Sequence, residues 1–261
     1  MRNGIVKYIR HGFMQKVGIF ILITCITVLT GLWSLESYAA VNYVPDDYPT
    51  IQAAVDSASS GDTIVVRDGT YTENVVVNMD HLTIKSENGA ENTIIQAANS
   101  NDPVFEITGD YVNISGFGAY ASYAIYLMDV NYCEIKGNRI DFNGGGFGIN
   151  VSGGLDNILT DNIVMDNYLG IILSHSSNTT LRNNLISGNS LNFHVVWGNN
   201  LSHFIHDIDI SNKVDGKPIY YWVNQHDKQI PSDAGYVGIV NSTNIIVKDL
   251  TLTNNGEGVF F

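Results

Sequence analysis

The carboxylates Asp161, Asp207, Asp209 and Asp249 are the first residues to consider for chemistry. When the C-terminal half of the chain is aligned on its own repeat, Asp161, Asp207 and Asp249 fall in one column just before a corner, and Asn183 takes that place in a further copy. Clustered carboxylates are what glycoside hydrolysis needs, one protonated as acid and one acting as base or nucleophile. Oxygen ligands stacked in this way also suit Ca²⁺. The plainer reading is that aspartate forms turns. His203 and His206 are the metal candidates, because Cu and other soft metals call for imidazole and thioether ligands. They lie three residues apart, which on a flat strand puts them on opposite faces and argues against a simple chelate. His175, His194 and His226 stand elsewhere, and Met128 and Met165 read as core fillers. A column of outward positions holds Lys85, Lys136, Thr160, Arg182, His206 and Lys248. Of these, Lys136, Arg182, His206 and Lys248 are the ligand-binding candidates, spaced to meet an anionic polysaccharide. The alternative is that each cation neutralises a neighbouring acid such as Glu134 or Asp207.

What would position these side chains is a repeat. Segments ending at Ile140, Val164, Ile186, Ile210 and Leu252 align at offsets of 24, 22, 24 and 42 residues. One apolar column reads Ile135, Leu159, Leu181, Ile205 and Val247, and a second reads Ile140, Val164, Ile186, Ile210 and Leu252. Within each copy the apolar residues alternate over four or five positions, too short for helices. Asn138, Asn162 and Asn184 hold the following corner and form a structural polar ladder, which this alignment ends at Ile208 and Leu250. Several short strands per unit of 22 to 24 residues predict an all-β solenoid, a right-handed parallel β-helix from about residue 60 to 261. An amphipathic pattern over about 50–58, with Ile51, Ala54, Val55 and Ala58 on one face, predicts a helix capping the open apolar end. Residues 216–240 break the period. The polar stretch 224–234, flanked by apolar runs at 219–223 and 236–240, reads as a protruding hairpin. The sequence stops at Phe261 in mid-strand without a polar cap, which reads as a truncated end.

Residues 1–39 read as a leader rather than fold. Arg2, Lys7, Arg10 and Lys16 precede an uncharged apolar run over 17–35, and Ser37 and Ala39 suit cleavage after Ala39. An uncleaved anchor is the alternative, since the run is just long enough to span a bilayer. Removing the leader leaves 9 Lys and Arg against 25 Asp and Glu, a net charge of −16. That balance excludes nucleic acid, whose phosphates demand basic surface. Only Cys133 remains beyond the leader, so no disulfide framework supports the exported chain. Five Asn-X-Ser/Thr sequons occur, at Asn113, Asn150, Asn178, Asn200 and Asn241.

Three stretches carry a family resemblance. They are the entry run from Val44 through Pro49-Thr50-Ile51 to Asp56, the Gly61-Asp62-Thr63-Ile64 and Asp68-Gly69-Thr70-Tyr71 turns, and the run from His206 through Asn212-Lys-Val-Asp-Gly-Lys-Pro-Ile-Tyr to Tyr221. The chain resembles the NosD-like right-handed parallel β-helix proteins of the pectin-lyase-type fold. The resemblance implies a protein exported to the cell surface, periplasm or exterior, in the broad class of carbohydrate-binding proteins and sugar hydrolases. It also implies a link to copper, because the founding member is associated with copper delivery to nitrous oxide reductase. The active-site strings of polygalacturonases and alginate epimerases are absent. The expectation is therefore a non-catalytic surface scaffold whose partner is a polysaccharide or a surface protein. A polysaccharide lyase or hydrolase and a periplasmic copper-handling protein are the alternatives.

Overall fold

The computed structural model describes residues 39–261, without the side chains of 142–144. The expected leader at 1–39 lies outside the described residues except for Ala39. The chain winds into a parallel β-helix with three faces. The first face stacks eight strands, Val41–Val44, Thr63–Val66, Thr83–Ser86, Asn113–Ser115, Glu134–Lys136, Ile158–Thr160, Thr180–Arg182 and Asp207–Ile208, all in parallel. Side chains alternate along each strand, so the middle residues form one buried column: Ile64, Ile84, Ile114, Ile135, Leu159, Leu181 and Ile208. The second face stacks Ile95, Ala119, Ile140, Val164, Ile186 and Val214 in the same way. The third face pairs Val75–Val77, Phe105–Ile107 and Tyr123–Met128 with later strands, and Phe105, Ile125, Ile149, Ile171 and Phe193 point into the core. In two middle coils the second and third faces run on as single bent strands, Arg139–Ser152 and Ile163–Ser174. The bend needs glycine: a Cβ on Gly170 would lie 2.2 Å from the Asn192 carbonyl oxygen.

A solenoid end exposes apolar side chains and unpaired strand edges. At the N-terminal end a helix, Ile51–Ser57, covers both, burying Ile51, Ala54 and Val55. Thr50 caps it by accepting from the Ala53 N–H at 3.1 Å, and the Glu73 carboxylate accepts from the Ile51 and Gln52 N–H groups at 3.0 Å each. The Gln52 amide takes the place of a neighbouring strand. Its oxygen accepts from the Val76 N–H at 2.7 Å and its nitrogen donates to the Val76 carbonyl at 3.3 Å.

Polar ladders fix the corners. Asn138, Asn162, Asn184 and Asn212 are at most 1% exposed, and each of the first three donates its Nδ2 to the Oδ1 of the next at 2.8–3.2 Å. Each amide also donates to a core-strand carbonyl; Asn162, for example, reaches Ile135 O at 2.8 Å. The amides of this asparagine ladder are therefore paired where the chain turns. The ladder does not end after Asn184, as the repeat alignment expected, but continues to Asn212.

The fourth copy departs from the expected register. A 3-10 turn at Leu201–Phe204 lengthens that coil, so Ile208 rather than Ile205 stacks on Leu181, and Val214 rather than Ile210 stacks on Ile186. Ile205 is only part-buried and Ile210 is 58% exposed. Val247 and Leu252 are not in the main columns either; they pack against a second, smaller apolar cluster around Ile230, Ala234, Val237 and Ile239.

The expected protruding hairpin is a coil of a different kind. Asp215 and Gly216, with φ of 48° and 79°, form a two-residue turn that brings Lys217 back antiparallel to Val214. Both positions need left-handed backbone, which Asp-Gly supplies. From there Lys217–Val223 pairs in parallel with Tyr236–Val240, and His226–Gln229 pairs in parallel with Thr243–Ile246. Ile219 sits on Tyr236 and His226 on Thr243, so residues 224–234 belong to a tighter winding with a 17-residue step rather than to a protrusion. Both faces of Tyr236–Val240 are buried, Tyr236 and Val240 against the main core and Val237 and Ile239 against the smaller one. Among the described residues no helix is long and apolar enough to cross a membrane.

Candidate functional site

The expected carboxylate column does not assemble. Asp161 stacks with Gly137 and Asn183 at a left-handed corner, with φ of 57°, 60° and 55°, and accepts from the Asn183 amide at 3.1 Å. Its continuation is Ser211, whose hydroxyl oxygen accepts from the Asn183 N–H at 2.8 Å. Asp207 stacks on Thr180 instead and binds Arg182, which Asp209 also approaches at 3.4 Å. Asp249 lies near the C-terminal end at a left-handed turn. The inserted 3-10 turn is the physical reason, since it moves Asp207 out of register with Asp161. Neither an acid–base pair nor a stacked oxygen cage for Ca²⁺ results.

The basic column is partly real. Lys85, Ser115, Lys136, Thr160 and Arg182 stack in register on the outside of the first face. Lys85 and Lys136 make no ion pair among the described residues, whereas Arg182 is held by Asp207 and Asp209. His206 does not join them. It is 4% exposed and turned inward at the corner above Thr179, whose N–H its Nδ1 accepts at 3.2 Å, while Nε2 faces the His203 carbonyl at 3.1 Å. Burial lowers its pKa to about 4, so the ring is neutral and carries its proton on Nε2. Lys248 is exposed in the C-terminal winding, off the column.

The third face holds a site the sequence reading missed. A cleft of about 350 Å³ is lined by Asn101 and Pro103 and by residues from two adjacent coils, among them Tyr123, Tyr126, Phe147 and Asn150. The parallel ladder places Tyr123 beside Phe147 and Tyr126 beside Asn150. The Tyr123 and Phe147 rings lie 5.2 Å apart at 38°, a continuous aromatic wall across two rungs. Tyr123, Tyr126, Phe147 and Asn150 are all half-buried. Asn150 Oδ1 is buried without a hydrogen-bond partner among the described residues. A buried, unpaired carbonyl oxygen is costly and is the kind of group a ligand satisfies. The available signal was the 24-residue spacing that separates Tyr123 from Phe147 and Tyr126 from Asn150, one coil period.

The family described as periplasmic copper-binding protein (NosD) matches residues 55–230, from the capping helix into the C-terminal winding. The chain belongs to the NosD family. The Asn212–Tyr221 run behind the sequence resemblance is the end of the asparagine ladder followed by the Asp-Gly reversal. A cell surface glycoprotein of Methanothermus fervidus is 32% identical over 130 residues, 49% of this chain and 21% of that protein. The chain thus spans about a fifth of that relative's length. Among solved structures, an alginate lyase from Paenibacillus sp. is 16% identical with a TM-score of 0.49, covering 85% of this chain and 99% of that one. The rice weevil pectin methyl esterase is 13% identical with a TM-score of 0.43, covering 82% and 89%. At such identities and scores these likenesses carry nothing about chemistry.

The NosD description raises copper, and the donors can be tested against it. Both ring nitrogens of His206 are occupied. His194 Nε2 is bonded to Glu257 at 2.6 Å, and His226 Nδ1 to the Thr243 hydroxyl at 2.8 Å. His81 is stacked on the Tyr111 ring, and Met165 Sδ accepts from Arg139 at 3.4 Å. Cys133 is buried, and burial raises its thiol to about 11, far from the thiolate a metal would need. His175 and His203 approach edge-on, with ring centroids 5.7 Å apart. Among the described residues no three His, Cys, Asp or Glu side chains converge. This donor set does not fit a resident copper ion.

Proposed function

We propose that this NosD-family β-helix is an exported surface scaffold that recognises a glycan in the cleft of its third face, without catalysing a reaction on it. The observation that carries the reading is the cleft itself: an aromatic wall of Tyr123 and Phe147, Tyr126 on the same lining, and the unpaired Asn150 oxygen. Aromatic faces take up the apolar face of a sugar ring, and a few fixed polar groups set its orientation. A rigid solenoid suits the task, because register and ladders hold the wall without any ordering on binding. The dispersal of Asp161, Asp207, Asp209 and Asp249 supports binding without hydrolysis. The leader pattern at residues 1–39, the periplasmic description of the family and the cell-surface relative support export. The reading places the ligand on the third face rather than along Lys85 and Lys136. Electrophoresis of the protein through gels containing different polysaccharides tests it. At least one polysaccharide should retard the wild type, and Phe147→Ala should abolish the retardation while Lys136→Glu keeps it. Retardation lost in Lys136→Glu and kept in Phe147→Ala would overturn the assignment.

A further inference from the structure

The cleft also indicates which saccharides it accepts, an inference that rests on the glycan-binding reading above. We infer that it selects a neutral saccharide and rejects uronic-acid chains. Of its lining residues, Asn101, Tyr123, Tyr126 and Asn150 bring polar groups, and none brings a Lys, Arg or His. A ligand carboxylate would therefore enter without a cation to meet it, and burying an unpaired charge is strongly unfavourable. The nearest charge in register is of the wrong sign. Glu106 stands beside Tyr126 on the preceding rung, half-buried and about 4.8 Å away by strand spacing. The whole chain adds to this, with 26 acidic against 13 basic residues. Lys85 and Lys136, which make no ion pair among the described residues, are on the first face and away from the cleft.

The polar demand points to a saccharide of either kind. Asn150 Oδ1 is an acceptor without a donor, so the ligand must bring an O–H or N–H to it. A sugar hydroxyl does this in a neutral or an acidic chain alike, so the selectivity rests on the missing cation and on Glu106. The volume, about 350 Å³, lies at the low end of small-molecule sites, roughly 300–1,000 Å³. That suits a short stretch of a chain rather than a long channel. Asn150 is also the acceptor of an Asn-Val-Ser sequon, so a covalent glycan at its own Nδ2 is the rival occupant.

Calorimetric titration of the protein with cellohexaose, xylohexaose, mannohexaose and hexagalacturonate, at low and at physiological salt, tests the inference. At least one neutral hexaose should bind, and hexagalacturonate should fail to bind at either salt. Asn150→Leu removes the acceptor at a position whose next neighbour in the row is Ile172. It should weaken binding tenfold or more without lowering the melting temperature, since the unpaired oxygen goes with it. Tyr126→Ala serves as the second variant and should weaken binding as well. Hexagalacturonate binding as tightly as any neutral hexaose would overturn the selectivity and leave the glycan reading standing. Failure of all four sugars to bind would overturn both. A covalent glycan on Asn150, seen by peptide mass mapping of the exported protein, would overturn the inference by filling the cleft from within.

Discussion

His206 makes the stability of this solenoid depend on pH between neutrality and about 4. The ring is buried at the end of the corner column Cys133, Asn157, Thr179, His206 and is neutral there, with a pKa lowered from 6.5 to about 4. Burial is the main cause. The neighbouring His203 adds to it, its carbonyl opposes it, and the uncharged Tyr221 ring lies 6.0 Å away. Between pH 6.5 and 4 the unfolded chain binds a proton at this site and the folded chain does not, so stability rises with pH. The contribution is complete above pH 6.5 and is lost as pH falls toward 4. Integrated from neutral pH to 4.5, the shift amounts to about 2.5 kcal/mol. His206→Asn keeps an acceptor for the Thr179 N–H, as Asn157 does for Cys133 two rungs back, and removes the titration. Guanidinium unfolding of both proteins at pH 7.5 and 4.5 isolates the effect, because the carboxylates are common to both. At pH 7.5 the variant should be less stable by about 1–2 kcal/mol, through lost packing. At pH 4.5 it should match or exceed the wild type. Parallel pH dependence in the two proteins would refute a neutral, buried His206.

Other perturbations have expected outcomes of their own. Asn162→Ala leaves the Ile135 carbonyl and the Asn138 N–H unpaired, and should cost roughly 2–5 kcal/mol in urea unfolding. Gly216→Val forces a β-branched residue into φ of 79° at the chain reversal, and should cost roughly 1–3 kcal/mol, with faster amide exchange in 217–240 than in 134–187. Cys133 should resist iodoacetamide at pH 8 in the folded protein and react on unfolding, as peptide mass mapping would show. Limited proteolysis should not favour 224–234, since the 17-residue winding pairs those residues with the next turn.

How much of this was legible in the sequence follows from where the period holds. Ile135, Leu159 and Leu181 stand 24 and 22 residues apart with Asn138, Asn162 and Asn184 at a constant offset, so both columns and the ladder could be read directly. The next rung fails because the turn at Leu201–Phe204 makes the step from Leu181 to Ile208 27 residues. A 24-residue step lands on Ile205, which is equally apolar, and composition alone does not separate the two. Asn212 would have exposed the error, but it comes four residues after Ile208 where the earlier rungs use three. The same slip turned His206, an inward corner residue, into an apparent member of the basic column. The 17-residue winding left a signal in Val223-Asn224 and Val240-Asn241, too short to outweigh a polar, proline-containing stretch. The cleft was not legible from residue types. Its walls come from segments about 50 residues apart, and tyrosine, phenylalanine and asparagine on strands signal packing before they signal binding.

The glycan-binding proposal stands or falls on the third face. A crystal structure of the protein soaked with whichever hexaose binds most tightly tests it directly. The account predicts a sugar ring packed against Phe147 and Tyr126, with a hydroxyl within hydrogen-bond distance of Asn150 Oδ1. A sugar lying along Lys85 and Lys136 on the first face, with the cleft bare, would contradict it.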